Sequence, residues 1–252
     1  NGPFRDDVRS FVKSDRGALK NLAARILASP DIYFRQDTDI NRCVNFVTCH
    51  DGFTLNDLVS YNEKHNEANK EESRDGSNHN FSWNCGAEGD TEDPEIQQLR
   101  WQQIKNFLTV LFMSQGTPML LMGDEIRHTQ QGNNNAYCQD NELSWFDWDL
   151  VEQHQDLLRF VKILIRFAKG LAIFREEKFL QVDKISSKPH ILWHGQKLRQ
   201  PDWSDDSHCL AFSLCHPPSG ERLHVIFNAY WQPLQFELPS LKLGNSWHRI
   251  VD

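Results

Sequence analysis

Apolar residues in the first thirty positions recur at the spacing of an α-helix. The first set lies around Asp6 and Asp7, acidic residues that suit the positive end of a helix dipole, and predicts a short helix that ends near Gly17. The second set predicts a helix that is stopped at Ser29 and Pro30. The two sets are Phe4, Val8, Phe11 and Val12, and Leu19, Leu22, Ala23, Ile26 and Leu27.

Strand-like and helix-like patterns then alternate. Residues 44–48 are β-branched or aromatic except for Asn45 and predict a buried strand. A broad apolar stripe from Pro94 predicts a long helix that ends at Gly116. Pro118 introduces a second apolar strand at 119–122, and a last strong helix is predicted around 157–171. Alternation of strand and helix is typical of a parallel sheet.

The pattern changes beyond Phe179. Short apolar runs are separated by Pro, Gly and Asp turns, which is typical of antiparallel strands. We therefore expect two domains: an α/β domain with a parallel sheet at 1–178 and a small antiparallel β-sandwich at 179–252. The predicted strands include 191–193, 210–214, 223–227 and 234–238.

Composition narrows the classes of function. The net charge of -8 offers no clustered basic surface, which argues against a nucleic-acid partner. Eight Trp and sixteen Phe are compatible with sugar rings as ligands, although most such residues fill cores. The six cysteines form no metal-ligand or CxxC spacing, so a reduced, intracellular context is expected, with no metal and no cofactor. No apolar stretch is long enough to predict a membrane partner.

The candidate chemistry lies where the first strand ends. His50 and Asp51 follow the 44–48 run directly, and in a parallel barrel this end of a strand faces the pocket. Asp-Gly is also a common turn dipeptide, so the pair alone could be a surface turn.

Two polar loops lie beside this point. The loop at 63–93 contains Phe81 and Trp83, which would line a pocket if the loop is ordered; a mobile surface loop is about equally compatible with the sequence. The second loop contains Asn134 and Tyr137 within a run of amides. Amides suit sugar hydroxyls because they offer both a donor and an acceptor, but they suit turns equally well.

Longer motifs resemble one family. Residues 46–51 (FVTCHD) resemble the strand-seven motif of the α-amylase superfamily of glycoside hydrolases, and residues 116–125 (GTPMLLMGDE) resemble its strand-eight motif. The segments 50–61, 78–86 and 132–140 are similar to isoamylases and glycogen debranching enzymes within that superfamily. The resemblance extends over essentially the whole chain, and the segments 200–204 and 227–231 are similar to the C-terminal β-domain of those enzymes.

The resemblance implies specific roles. Asp51 would stabilise the oxocarbenium-like transition state of a retaining hydrolase, and His50 would bond the hydroxyls of the same sugar. The ligand would be an α-glucan such as glycogen, contacted also by Phe81, Trp83, Asn134 and Tyr137. The family's nucleophile and general acid precede strand seven and have no match here.

The segment Arg5-Asp6-Asp7 imitates the family's Arg-x-Asp nucleophile motif. It opens a predicted helix rather than ending a strand, so we interpret it as a decoy. The resemblance implies that the chain is the C-terminal part of a (β/α)₈ TIM barrel, its last three βα units, followed by the β-domain. We expect this chain to be inactive when taken alone.

Three functions remain open at this point. The leading one is hydrolysis of α-1,6 branch linkages; an α-1,4 amylase or transglycosylase of the same superfamily, and a non-catalytic glucan-binding subunit, are the alternatives. The expected location is the cytoplasm, or the plastid stroma in a photosynthetic eukaryote.

Overall fold

The structure is a computed structural model that describes residues 1–35 and 39–251. It opens with the packed helices α1 (Gly2–Val12) and α2 (Ala18–Ile26), followed by the short helix α3 (Pro30–Tyr33). The two predicted helices are confirmed. Helix α1 begins a turn earlier than the acidic residues indicate, because the side chain of Asn1 accepts the N–H of Phe4 at 3.3 Å and Pro3 presets the first turn.

Two strands then pair in parallel: β1 (Val44–Asn45) and β2 (Thr117–Pro118). The N–H of Thr117 donates to the carbonyl of Cys43 at 2.9 Å, and the N–H of Met119 donates to the carbonyl of Asn45 at 2.7 Å. The parallel pairing agrees with the strand-helix-strand alternation of the sequence. β1 is shorter than the predicted run 44–48. β2 ends at Pro118, before the predicted run 119–122, which contains no strand residue, so that prediction is wrong.

The ladder ends where the buried Arg9 reaches the backbone just after the first strand. The next bond in this register would run to the carbonyl of Val47, but the guanidinium of Arg9 donates to that oxygen from Nε at 3.0 Å and from Nη2 at 2.7 Å. The backbone beyond β2 therefore bends into a turn at Gly123 instead of continuing as a strand. Within residues 1–35 and 39–251, the strands form no closed barrel.

Four further helices lie between and after these strands: α4 (Leu55–Leu58), α5 (Pro94–Phe112), α6 (Asp149–Gln153) and α7 (Gln155–Gly170). Thr54 caps α4, with its hydroxyl accepting the N–H of Asp57 at 3.2 Å. Asp93 caps α5 by accepting the N–H of Glu95 at 2.9 Å.

The C-terminal part forms one four-stranded sheet in the order β3 (Gln181–Val182), β4 (His190–His194), β5 (Cys209–His216) and β6 (Glu221–Asn228). β3 is parallel to β4, and the other two pairs are antiparallel. The expected sandwich is corrected accordingly: residues 179–251, all of which the structure describes, form this one sheet and no second sheet to pack against it.

The predicted strand at 234–238 is wrong. Glu237 makes one strand-like bond, from its N–H to the carbonyl of Gln196 at 2.9 Å. Its carboxylate, and not a backbone carbonyl, takes the N–H of Leu198 at 2.9 Å, so the ladder does not continue.

One apolar core joins the helices to the sheet. Phe107 and Leu164 of the helices belong to the same buried cluster as Trp193 and Phe212 of the sheet. The proposed domain boundary at 178/179 stays a prediction, since the packing is continuous across it.

Candidate functional site

His50 and Asp51 lie just beyond β1 and are the most open polar groups of the strand-seven motif. Their side chains are 87% and 75% exposed, and His50 Nε2 lies 3.3 Å from Asp51 Oδ2. An ion pair this exposed adds little to stability, because solvent screens it. The pair is therefore free to meet a ligand rather than committed to the fold.

The segment that carries the pair is fixed at its start by Arg9. This side chain is 3% exposed, and its two bonds to the carbonyl of Val47 hold the backbone three residues before His50. Burial lowers the pKa of Arg9 to about 10, which leaves the guanidinium charged at neutral pH.

The same segment is fixed at its end by Asn134. The N–H of Gly52 donates to the carbonyl of Asn134 at 3.0 Å. Asn134 in turn exchanges two bonds with the amide of Asn66, at 2.9 and 3.0 Å, and donates from Nδ2 to the carbonyl of Ser77 at 2.8 Å and to Asn80 Oδ1 at 2.9 Å.

Asn80 connects the two anchors. Arg9 Nη1 donates to the carbonyl of Asn80 at 2.8 Å, and the Asn80 side chain accepts from Asn134. A closed chain of hydrogen bonds thus runs from Val47 through Arg9, Asn80 and Asn134 to Gly52. Because both ends of the 47–52 segment belong to one network, the position of Asp51 is set by residues that are themselves buried.

A buried carboxylate lies behind the segment. Asp124 accepts a short hydrogen bond from the hydroxyl of Thr48 and the N–H of Leu55 at 2.9 Å, and so joins the strand-seven motif to the strand-eight motif. Burial raises its pKa to about 7, against the lowering effect of these two bonds.

A second buried carboxylate organises the amide loop. Asp57 accepts from the hydroxyl of Thr129 and from the N–H groups of Gln130, at 2.8 Å, and Gly132, at 3.3 Å. Burial raises the pKa of Asp57 to about 6, while these bonds favour its charged form. Asp57 thereby fixes the loop that presents Asn134.

The clustered amides have a role other than the expected one. Asn134 is 2% exposed, and each of its polar side-chain atoms is bonded within the protein. Asn133 is equally buried and pairs with the amide of Asn69. Direct contact between Asn134 and a sugar, as the sequence led us to expect, is not what this environment favours.

The aromatic candidates remain accessible. Phe81 and Trp83 are partly exposed on the 63–93 loop, and Tyr137 is exposed on a 3₁₀ turn at Ala136–Cys138. The loop is well anchored: the N–H of Trp83 donates to the carbonyl of Leu58 at 3.1 Å, and the guanidinium of Arg100 binds the carbonyl groups of Asn84, Ala87 and Gly89. The ordered reading of this loop is thereby favoured over the mobile one.

The imitation of a nucleophile motif lies in α1. Asp6 binds Arg5 at 2.7 Å, and Asp7 pairs with Arg25 at 3.2 Å and accepts from Asn21 at 3.0 Å. Both carboxylates are thus engaged on the helix. The bond to Asp6, and more weakly the charge of Asp51, raise the pKa of Arg5.

Arg9 is the residue that sequence reasoning missed. Its only signal is that it borders the apolar face of α1 next to Val8, a position where a charged side chain is unusual. Within residues 1–35 and 39–251, no three His, Cys, Asp or Glu side chains converge in a way that could hold a metal ion. None of the described helices combines the length and apolarity needed to cross a bilayer.

The fold is one that is shared with pullulanases. The structure of a pullulanase from Paenibacillus barengoltzii, in complex with maltohexaose and α-cyclodextrin, superimposes with a TM-score of 0.68 over 96% of this chain and 33% of that chain, at 24% identity. At this identity the likeness concerns the fold alone.

Sequence comparison identifies the relatives more closely. Residues 192–252 match the family model for the C-terminal part of isoamylases 1-3. The chain is 42% identical to a glycogen operon protein GlgX homologue of Mycobacterium bovis, over 100% of this chain and 37% of that protein. It is also 42% identical to the chloroplastic isoamylase 1 of Oryza sativa subsp. japonica, over 100% of this chain and 30% of that protein.

A glycogen debranching enzyme of Pectobacterium atrosepticum is 44% identical over 94% of this chain and 35% of its own length. The chain is therefore homologous, over its whole length, to isoamylases and glycogen debranching enzymes, and the resemblance drawn from the motifs is confirmed. It spans about a third of the length of these relatives.

Proposed function

We propose that the protein carrying this chain hydrolyses α-1,6 branch linkages of glycogen or a related α-glucan, with retention of configuration. One observation carries the proposal: in a homologue of debranching enzymes, an open His50–Asp51 pair lies on a segment that buried residues fix at both ends. A preorganised, accessible carboxylate is what stabilisation of a cationic transition state requires.

In this mechanism the charge of Asp51 stabilises the positive charge that develops at the anomeric carbon. His50 bonds a hydroxyl of the same sugar, which orients the ring. Neither residue needs to move, because the network through Arg9 and Asn134 sets their backbone in advance. Preorganisation of this kind lowers the cost of reorganising dipoles when the reaction occurs.

The nucleophile and the general acid are assigned to residues outside these 252. Retaining hydrolysis needs two carboxyl groups about 5 Å apart across the scissile bond. Asp6 and Asp7 lie on α1 in ion pairs with Arg5 and Arg25, which supports the decoy interpretation. The 252 residues alone are accordingly expected to be inactive on any glucan.

Phe81, Trp83 and Tyr137 are assigned to the substrate cleft. Aromatic faces cover the apolar C–H groups of a sugar ring and leave its hydroxyls free to bond elsewhere. Asn134 acts indirectly: it holds Gly52 and, through it, Asp51.

The test is the Asp51→Asn variant of the full-length protein, assayed on branched and linear α-glucans side by side. We expect turnover on branched glucan to fall at least about 10²-fold, the scale for loss of one preorganised stabilising group. Wild-type turnover in the variant would remove Asp51 from the mechanism. Preferential cleavage of linear glucan by the wild type would favour the α-1,4 alternative, and binding without cleavage would favour the non-catalytic subunit.

A further inference from the structure

A turn at 228–232, directly after β6, presents two aromatic rings. The side chain of Asn228 accepts the N–H of Tyr230 at 3.0 Å and donates to the carbonyl of Gln232 at 3.1 Å, so the turn is bonded from within. The rings of Tyr230 and Trp231 lie 4.0 Å apart between centroids at an angle of 35°, and Trp231 is 72% exposed.

A groove of about 570 Å³ lies beside this turn. Tyr230 and His208 both line the groove. The rings of His208 and Trp231 pack in a T-shaped arrangement with their centroids 5.7 Å apart. The remaining lining is polar and supplies both donors and acceptors. The polar residues include Gln196, Lys197, Gln200, Asp202 and Asp206.

The walls of the groove are held rigidly. A Cβ added at Gly195 would lie 2.5 Å from the carbonyl oxygen of Gln200, so the backbone is closely packed at this point. His208 Nδ1 is bonded to the hydroxyl of Ser14 at 2.8 Å, and the N–H of Gly17 donates to the carbonyl of Asp205 at 2.8 Å. The groove is thus built where the sheet meets the corner between α1 and α2.

The charge of the groove suits an uncharged ligand. Asp206 is paired with Arg16 at 2.7 Å. The charges of Lys197 and Asp202, which also line the groove, are opposite and add up to zero. A phosphate would find no set of basic side chains here, and an apolar chain would leave the polar lining without partners. A neutral polyhydroxylated ring suits both the aromatic and the polar surface of the groove. Its apolar face covers an aromatic ring, and its hydroxyls bond the polar wall.

We propose that this groove, with Tyr230 and Trp231 as its platform, is a second carbohydrate-binding site that holds a glucan chain away from Asp51. The choice of an α-linked glucan rests on the proposed function. Two sites on one polymer raise the effective concentration of the substrate, because binding at one site keeps the chain close to the other. The second site therefore matters for polymers and not for short oligosaccharides.

The test compares Trp231→Ala with Trp148→Ala in the full-length protein. Trp148 is a matched control, since it is 75% exposed and, like Trp231, packs against a neighbouring aromatic ring, here Phe146, with ring centroids 4.6 Å apart. Affinity electrophoresis through gels that contain glycogen should show at least about a fivefold weaker affinity for Trp231→Ala and no change for Trp148→Ala. Trp231→Phe, which keeps a ring, should restore most of the retardation.

Kinetics distinguish this site from the catalytic one. Trp231→Ala should raise the KM for glycogen and leave both kcat and the KM for a short branched oligosaccharide unchanged. The proposal is overturned if glycogen retards Trp231→Ala as strongly as the wild type. It is also overturned if a β-1,4-linked glucan retards the wild type as strongly as glycogen does. Because retardation needs no hydrolysis, it reports on this groove even if the assays on branched and linear glucans show that the proposed activity is wrong.

Discussion

The N–H of Gly52 donates to the backbone carbonyl of Asn134 at 3.0 Å, which bonds the turn carrying Asp51 to a buried residue 82 positions further along the chain. Asn134 is fixed by the reciprocal amide pair with Asn66 and by its bonds to Ser77 and Asn80. The position of the exposed carboxylate of Asp51 thus depends on Asn134, a residue that is itself buried.

Asn134→Ala removes the side chain of this anchor. Because the amides of Asn66 and Asn80 then lose buried partners, we expect the free energy of unfolding to fall by about 1–3 kcal/mol. We also expect turnover to fall at temperatures where the variant is folded, since the turn at Gly52 is less well held. Denaturant unfolding and initial rates on branched glucan measure the two effects.

Asn245→Ala is the matched control, because Asn245 is exposed and its hydrogen bond to the carbonyl of Lys242 is made by its backbone N–H. It should change neither quantity. Normal turnover in fully folded Asn134→Ala protein would contradict a positioning role for this residue.

Arg9→Lys tests the other anchor. The guanidinium of Arg9 makes three hydrogen bonds to the carbonyls of Val47 and Asn80. A lysine keeps the charge but cannot reproduce these three bonds. Since hydrogen bonds from charged groups are stronger than neutral ones, we expect a loss of at least about 2 kcal/mol in the free energy of unfolding. Thermal and denaturant unfolding measure this loss.

The control for Arg9→Lys is Arg74→Lys, since Arg74 pairs with Glu72 at 3.6 Å on the surface. Exchange at such an exposed pair should cost less than about 1 kcal/mol. Similar losses at both positions would mean that the bonds of Arg9 to the backbone contribute nothing specific.

The helices and the parallel pairing were predictable because an apolar stripe must be buried, whatever surrounds it. The 3.6-residue spacing alone located α1, α2, α5 and α7. What could not be predicted was the use of individual backbone carbonyls. Arg9 takes the oxygen of Val47 that would have extended the β1–β2 ladder, and no local pattern indicates this contact.

The site was predictable only at its exposed centre. His50 and Asp51 were identified from the motif at the end of a strand, and they lie there in the open. The amides of 132–140 were assigned to sugar because an amide suits a hydroxyl and another amide equally well. Burial decides between the two, and burial of Asn134 depends on Asn66 and Asn80, which the sequence places more than fifty positions away.

Asp124→Asn should change how stability depends on pH. Burial raises the pKa of Asp124 to about 7 from its usual 3.8. Between these two pH values the folded protein keeps the proton of Asp124, whereas the unfolded chain has lost it. The stability that the protonated group contributes is complete below about pH 4 and is lost as the pH rises to about 7. Asparagine is neutral throughout, so the variant should lack this loss.

Melting temperatures between pH 4 and pH 8 measure the effect. The wild type should lose stability relative to Asp124→Asn across this range, whereas the exposed Glu92→Gln control should run parallel to the wild type. Parallel curves for the wild type and Asp124→Asn would show that Asp124 is not protonated in the folded state.

Trp83→Ala tests whether the 63–93 loop lines the cleft. The indole is partly exposed, while its backbone N–H is bonded to Leu58, so truncation removes a ring face without removing that bond. We expect weaker affinity for a short malto-oligosaccharide with little change in melting temperature. Lost stability together with unchanged affinity would instead assign Trp83 to local packing.

Gly76→Ala tests the tightness of the amide network. A Cβ at Gly76 would lie 2.1 Å from Asn134 Oδ1 and 2.8 Å from Asn66 Nδ2, so the reciprocal amide pair would have to separate. The residue also has a φ of +70°, where any side chain adds about 1–2 kcal/mol of strain.

Gly220→Ala supplies the matched control, because Gly220 has a φ of +76° and nothing within 4 Å of the added atom. Gly76→Ala should therefore lower the free energy of unfolding more than Gly220→Ala does, and it alone should reduce turnover, because only it displaces the residue that holds Gly52. Equal losses of stability in the two variants would mean that the network yields to an added methyl group, and the position of Asp51 would then need another explanation.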